Sequence, residues 1–273
     1  MTFIRPLIIG IVLAVSAAAA PLPQPSYIDV LILPVGVEPL AEFEQIKSAG
    51  TEGSAGGIQV KEVPMDEIPP RAVYIRKNDK AYYSIPSNLN AFGMPIRIPV
   101  ADTEIPLFIK SVSPGGGMEP LATVTLPATR QCVLVILSKP ITSKKWTKPL
   151  VTTLFIPPSE APSIVLANSS SAHSCGVILN KKTGMIASAG HQILHPQTPS
   201  EGPPVASLSL AIAAPDGRFR PPFIQEFMPL RKNFSEIIVA YDTTEVESFR
   251  FAAYARGKIE TGKFLPPSVH LEK

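Results

Sequence analysis

Along this chain apolar positions come in short alternating runs, broken roughly every 8 to 12 residues by Pro, Gly, Asn or Asp. Val, Ile, Thr, Tyr and Phe dominate the runs, so they read as β-strands. The predicted strands in the first half are 27–33, 58–63, 72–76, 82–85, 96–100, 105–112, 121–126, 132–137 and 150–156. In the second half they are 164–167, 176–179, 185–189, 192–194, 205–213, 223–228, 236–241 and 248–255. One short helix is expected over 39–47, where Leu40, Phe43 and Ile46 share a face at helical spacing. Residues 48–57, rich in Gly and Ser, read as a surface loop.

The texture of the first half recurs in the second. The hairpin pattern from Val73 to Lys80 matches Val177 to Gly184 at an offset of 104, and Leu107 and Ile109 fall on Leu210 and Ile212 at 103. Pro114-Gly115-Gly116 aligns with Pro215-Asp216-Gly217 at 101, and Pro120, Leu121 and Pro127 align with Pro222, Phe223 and Pro229 at 102. The matches stay in order, which points to an internal duplication with one copy over 58–156 and the other over 164–255. Residues 157–162, with three prolines, form a stiff join between them. Each copy has the length and strand number of an immunoglobulin-like sandwich, so the expected fold is all-β, two tandem β-sandwich domains over 21–157 and 158–273. The run 27–33 lies outside both copies and is expected to pair with an edge strand of either one.

Composition agrees with strands. Thirty-one prolines in 273 residues are about twice the usual share and exclude a helical bundle or coiled coil. The net charge of +3 falls to +2 when Arg5 is removed, which gives no footprint for nucleic acid. Residues 1–20 read as a secretory signal: Arg5, an apolar stretch, then small residues, with cleavage expected after Ala18 or Ala19. No later run has the ~20 apolar residues a membrane-spanning helix needs. The mature chain is therefore expected to be secreted, in the periplasm or at the cell envelope. In that oxidising setting Cys132 and Cys175 are the candidates for one disulfide, with two separate buried thiols as the alternative. Asn168 and Asn233 open N-x-S sequons.

Chemistry is sparse. The chain has no Gly-x-Ser-x-Gly elbow, P-loop, GxGxxG, HExxH or EF-hand loop. His191 and His195 lie four apart, and with His173 and Cys175 they make an imaginable metal set, although the segment reads more simply as a strand with polar ends. Asp66 with Glu67, Asp102 with Glu104, and Asp242 with Glu245 and Glu247 are the acidic groupings; all sit in predicted turns, where solvated carboxylates are ordinary. Trp146, the sole tryptophan, lies among Lys144, Lys145 and Lys148, which makes it the candidate contact for an anionic polymer or a protein partner. No catalytic residue, cofactor or metal site is assigned.

The segment Pro162-Ser163-Ile164-Val165-Leu166-Ala167-Asn168-Ser169-Ser170, followed by the Lys181-Lys182-Thr183-Gly184 hairpin, resembles secreted bacterial β-sandwich proteins of uncharacterised function. That resemblance covers about 30 residues and implies export and a sandwich fold, with no catalytic residues. The expected function is that of an exported, non-enzymatic structural or interaction module with a protein or glycan partner. The alternative is a polysaccharide-binding or polysaccharide-hydrolysing protein that works in a cleft between the halves.

Overall fold

The structure, a computed structural model, describes residues 27–271 except 47–56, 242–252 and shorter stretches between strands. Residues 1–20, where a secretory signal is expected, therefore lie outside the described residues. The strands before the proline-rich join are β1 (Tyr27–Val35), β2 (Glu42–Ile46), β3 (Gly57–Lys61), β4 (Ala72–Asn78), β5 (Ala81–Pro86), β6 (Ile96–Pro99), β7 (Glu104–Lys110), β8 (Met118–Thr125), β9 (Cys132–Ser138) and β10 (Leu150–Ile156). After it come β11 (Ser163–Asn168), β12 (Ser174–Leu179), β13 (Lys182–Ile186), β14 (His191–Leu194), β15 (Val205–Ala213), β16 (Ile224–Pro229), β17 (Phe234–Tyr241), β18 (Ala253–Glu260) and β19 (Ser268–Leu271). The fold is all-β.

Four sheets carry the molecule, in the orders β10-β9-β1-β6, β5-β4-β7-β8, β14-β11-β17-β18 and β13-β12-β15-β16; β19 adds a fifth strand beside β5. Setting the β2–β3 hairpin aside, both halves share one strand order. Counted within each half, one sheet runs 4-1-7-8 and the other 3-2-5-6. In both, the first and seventh strands pair in parallel, β1 with β9 and β11 with β17. The immunoglobulin expectation does not fit this order, because there the first two strands lie side by side in one sheet, whereas here they lie in different sheets.

The burial pattern stacks the four sheets in layers. Val133, Val135 and Leu137 of β9 pack with Ile28, Val30 and Ile32 of β1 against Val73, Ile75 and Leu107 of the first outer sheet. The alternate residues of the same strands, Leu134 and Ile136 with Leu31 and Leu33, pack instead against Val165, Ile237 and Val239 of the second half. Ile164, Leu166 and Ile238 then face Val177, Leu208 and Leu210 of the other outer sheet. The two central sheets are thus apolar on both faces, the usual company of parallel pairing. Among the described residues fourteen buried ones form the middle core, and at ~1.5–3 kcal/mol for each large aliphatic side chain that interface behaves as protein interior rather than as a hinge.

Several expectations change. The helix expected over 39–47 is replaced by β2, which pairs with β3 with Phe43 opposite Val60. A ladder satisfies the backbone groups that so short a helix would leave to water. The run 27–33 is no accessory strand: β1 occupies the centre of its sheet, as β11 does in the other half. The hairpin offset of 104 is two too large, since Ile75 lies opposite Leu107 and Val177 opposite Leu210, which equates Ile75 with Val177. An even slip preserves the facing of every side chain, so alternation alone could not detect it. The candidate disulfide is absent. Cys132 borders the middle core and Cys175 belongs to the third, and neither is in a disulfide.

Candidate functional site

Pro157 and Pro158 carry the chain out of β10 at one end of the middle core. There a cavity of about 110 Å³ opens, lined by Asp29, Cys132 and Ile156 from the first half and by Ser235, Ile259 and Glu260 from the second. Ligand pockets for drug-sized molecules begin near ~300 Å³, so this one suits a small ligand or a few waters.

Each polar wall group is already engaged. Asp29 is a buried charge in the apolar run of β1, and Arg97 faces it across the β1–β6 pairing. The pair is bidentate, with Nε donating to Oδ1 at 2.7 Å and Nη2 to Oδ2 at 2.9 Å. The Arg97 guanidinium sits between two rings, 3.2 Å from the centroid of Phe264 and 4.3 Å from that of Tyr27. Burial, with the Asp29 charge adding to it, pushes the Cys132 thiol up to about 12. That thiol stays protonated at neutral pH and is a poor nucleophile. The Ser235 hydroxyl is 2.7 Å from that of Ser163, and Glu260 pairs with Lys263 at 2.8 Å. No histidine is among its lining residues; the Ser235 hydroxyl bonds that of Ser163, the Thr261 hydroxyl donates to the Ser159 carbonyl, and the Cys132 thiol is protonated.

A second polar cluster closes one side of the second sandwich. Tyr254 donates to Glu226 Oε1 at 2.5 Å, Arg256 bonds the other oxygen of Glu226, and Arg256 Nε lies 3.8 Å from Glu236. Glu226 comes from β16 and Arg256 from β18, so the bridge joins two sheets. Burial raises the Glu236 carboxyl above its ordinary value, against the opposing pull of Arg256, Arg231 and Lys258.

The residues singled out in the sequence do not converge. Trp146 is 3% exposed and belongs to the first core, so its ring is no platform for a partner; its indole N–H finds no hydrogen-bond partner among the described residues. Lys145 pairs with Asp66 at 2.6 Å, while Lys144 lies outside the described residues. His173, His191 and His195 are exposed and Cys175 faces the third core; among the described residues no three such side chains are grouped to hold a metal ion. Asp102 and Glu104 are exposed, and Asp242, Glu245 and Glu247 lie outside the described residues. Asn168 is buried, with Nδ2 donating to the carbonyls of His173 at 2.7 Å and Ala187 at 3.1 Å, which leaves no room for a glycan in the folded chain. Asn233 is exposed in a turn.

The engaged charges that sequence reading passed over are Asp29, Arg97, Glu236 and Arg256. A usable signal existed for two of them: Asp29 and Glu236 each interrupt an apolar strand, and a buried carboxylate needs a partner. No family model matches this chain, and no similar curated protein is found.

Proposed function

We propose that this chain is an exported, non-enzymatic protein that serves as a structural or interaction module in the cell envelope or outside the cell. The observation that supports this reading is the middle core. The interface between the two halves, where a shared catalytic cleft would lie, is filled by Leu31, Leu134, Ile136, Ile237 and Val239. The polar groups that border it are tied into structural pairs, and its thiol is held in the unreactive form. What such a block presents to other molecules is its outer sheets and their edges.

Two measurements test the reading. Mass spectrometry of the exported chain should find a new N-terminus after Ala18 or Ala19, and an intact leader on a cell-retained protein would contradict export. Purified mature protein assayed on a panel of polysaccharides and on a glycan array should give neither turnover nor saturable binding. Hydrolysis that disappears in Glu226→Gln would replace this proposal with the polysaccharide alternative.

A further inference from the structure

After β18 the chain leaves the second half and crosses to the first. Thr261 is the last anchor before the crossing: its N–H donates to the Asn233 carbonyl at 2.8 Å and its hydroxyl to the Ser159 carbonyl at 3.1 Å. From Phe264 onward the ties are to the first half. The Phe264 ring lies on the Arg97 guanidinium, the Leu265 N–H donates to the Pro95 carbonyl at 2.8 Å, and the Leu265 carbonyl accepts from the Arg97 N–H at 2.9 Å. β19 then pairs with β5, where His270 meets the Tyr74 ring. Gly262 stands where the ties change sides. Its φ of +84° lies in the left-handed region, which glycine adopts without strain.

This segment ties the halves without burying anything. No residue of 261–271 is buried, and Phe264, Leu265, Val269 and Leu271 are all exposed. None of the three cores takes a side chain from it. A stretch held by edge hydrogen bonds and exposed rings opens at a fraction of the free energy of global unfolding, and the cores are intact when it leaves. The same stretch walls the cavity between the halves: Thr261, Gly262 and Lys263 line it together with Asp29 and Cys132.

We propose that residues 262–271 form a strap that swings away about Gly262 while both sandwiches stay folded, and that this strap is the lid of the cavity at Cys132. Opening removes one wall of the cavity and gives solvent and small reagents access to the thiol. Cys175 is different, because it is buried in the third core and is reached only when the second sandwich unfolds. One chain therefore carries a thiol for each event, strap opening and global unfolding. The proposal does not depend on what the protein does for the cell.

Labelling of the folded mature chain with N-ethylmaleimide, read at each cysteine by peptide mass spectrometry, should modify Cys132 on the order of tenfold or more faster than Cys175. Phe264 is not a lining residue of the cavity. Phe264→Ala should nevertheless raise the Cys132 rate about 3- to 30-fold, the range a cation–π contact supplies, and leave the Cys175 rate unchanged. In hydrogen exchange the Leu265 and Arg97 amides should share one protection factor, well below those of β9 and β17. A Cys132 rate that Phe264→Ala does not move overturns the proposal, since access then does not pass through the strap. A rise shared equally by Cys175 overturns it too, as do strap amides protected as well as those of β9, because both mean that the segment leaves only when the whole chain unfolds.

Discussion

Removing the Arg97 guanidinium would leave Asp29 beside Cys132 with its counter-charge gone and two aromatic rings without the cation between them. The pair is only partly exposed, 20% for Arg97 and 12% for Asp29, so its loss falls between the values for surface and buried ion pairs. Arg97→Ala should lower stability by about 2–3 kcal/mol, and Arg97→Lys, which keeps charge but loses the fork, should recover part of that. Urea titrations read both, as a lower midpoint with an unchanged slope. Glu236 acts in the opposite sense. Its folded carboxyl holds a proton to higher pH than the unfolded chain, whose ordinary value is 4.5, so its contribution to stability is greatest in acid and declines as pH rises from there past the raised value. Glu236→Gln removes that decline. Melting temperatures of variant and parent should therefore diverge with rising pH, in favour of the variant, and parallel curves would show that the cations around Glu236 already offset its burial.

At the scale of elements, strand texture is legible wherever a local rule decides it. Alternation and turn residues suffice for β4, where Val73 and Ile75 are buried, Tyr74 is half-buried and Arg76 is exposed. They do not distinguish one-sided from two-sided burial unless uninterrupted apolar runs are weighed separately, and Cys132 to Leu137 in β9 is such a run. Leu40, Phe43 and Ile46 satisfy a helical period, yet the partner that decides for a strand, β3, lies beyond a ten-residue stretch and leaves no local mark. Trp146 misleads for a related reason: its neighbours in sequence are lysines, while its neighbours in space are the first core. The last strand offers a test at this scale. β19 is four residues long and Leu271 is 67% exposed, so ending the chain after Pro267 should cost little stability. It should, however, uncover the β5 edge with Tyr82 and Tyr83, and sedimentation should then show species larger than those of the full chain. Unchanged sedimentation would mean that β5 is protected by something other than β19.

For the molecule as a whole, the question is whether two sandwiches with a shared strand order behave as two domains or as one. Tandem domains on a proline-rich join would melt separately. Here the central sheets share a core in which Leu134 and Ile136 of the first half touch the same cluster as Ile237 and Val239 of the second, and β19 returns from the second half to the first. Unfolding either half alone would expose the apolar outer face of the other's central sheet, which couples the two transitions. Trp146 makes the coupling measurable, because the only tryptophan reports on the first half alone. Ile237→Ala removes side-chain volume from β17, in the second half, and a buried Ile→Ala change costs about 2–5 kcal/mol. If the stack is one cooperative unit, the Trp146 fluorescence transition should move down by that full amount and coincide with the loss of strand signal in circular dichroism. A Trp146 midpoint that stays in place while circular dichroism splits into two steps would show that the middle core joins two independently stable sandwiches.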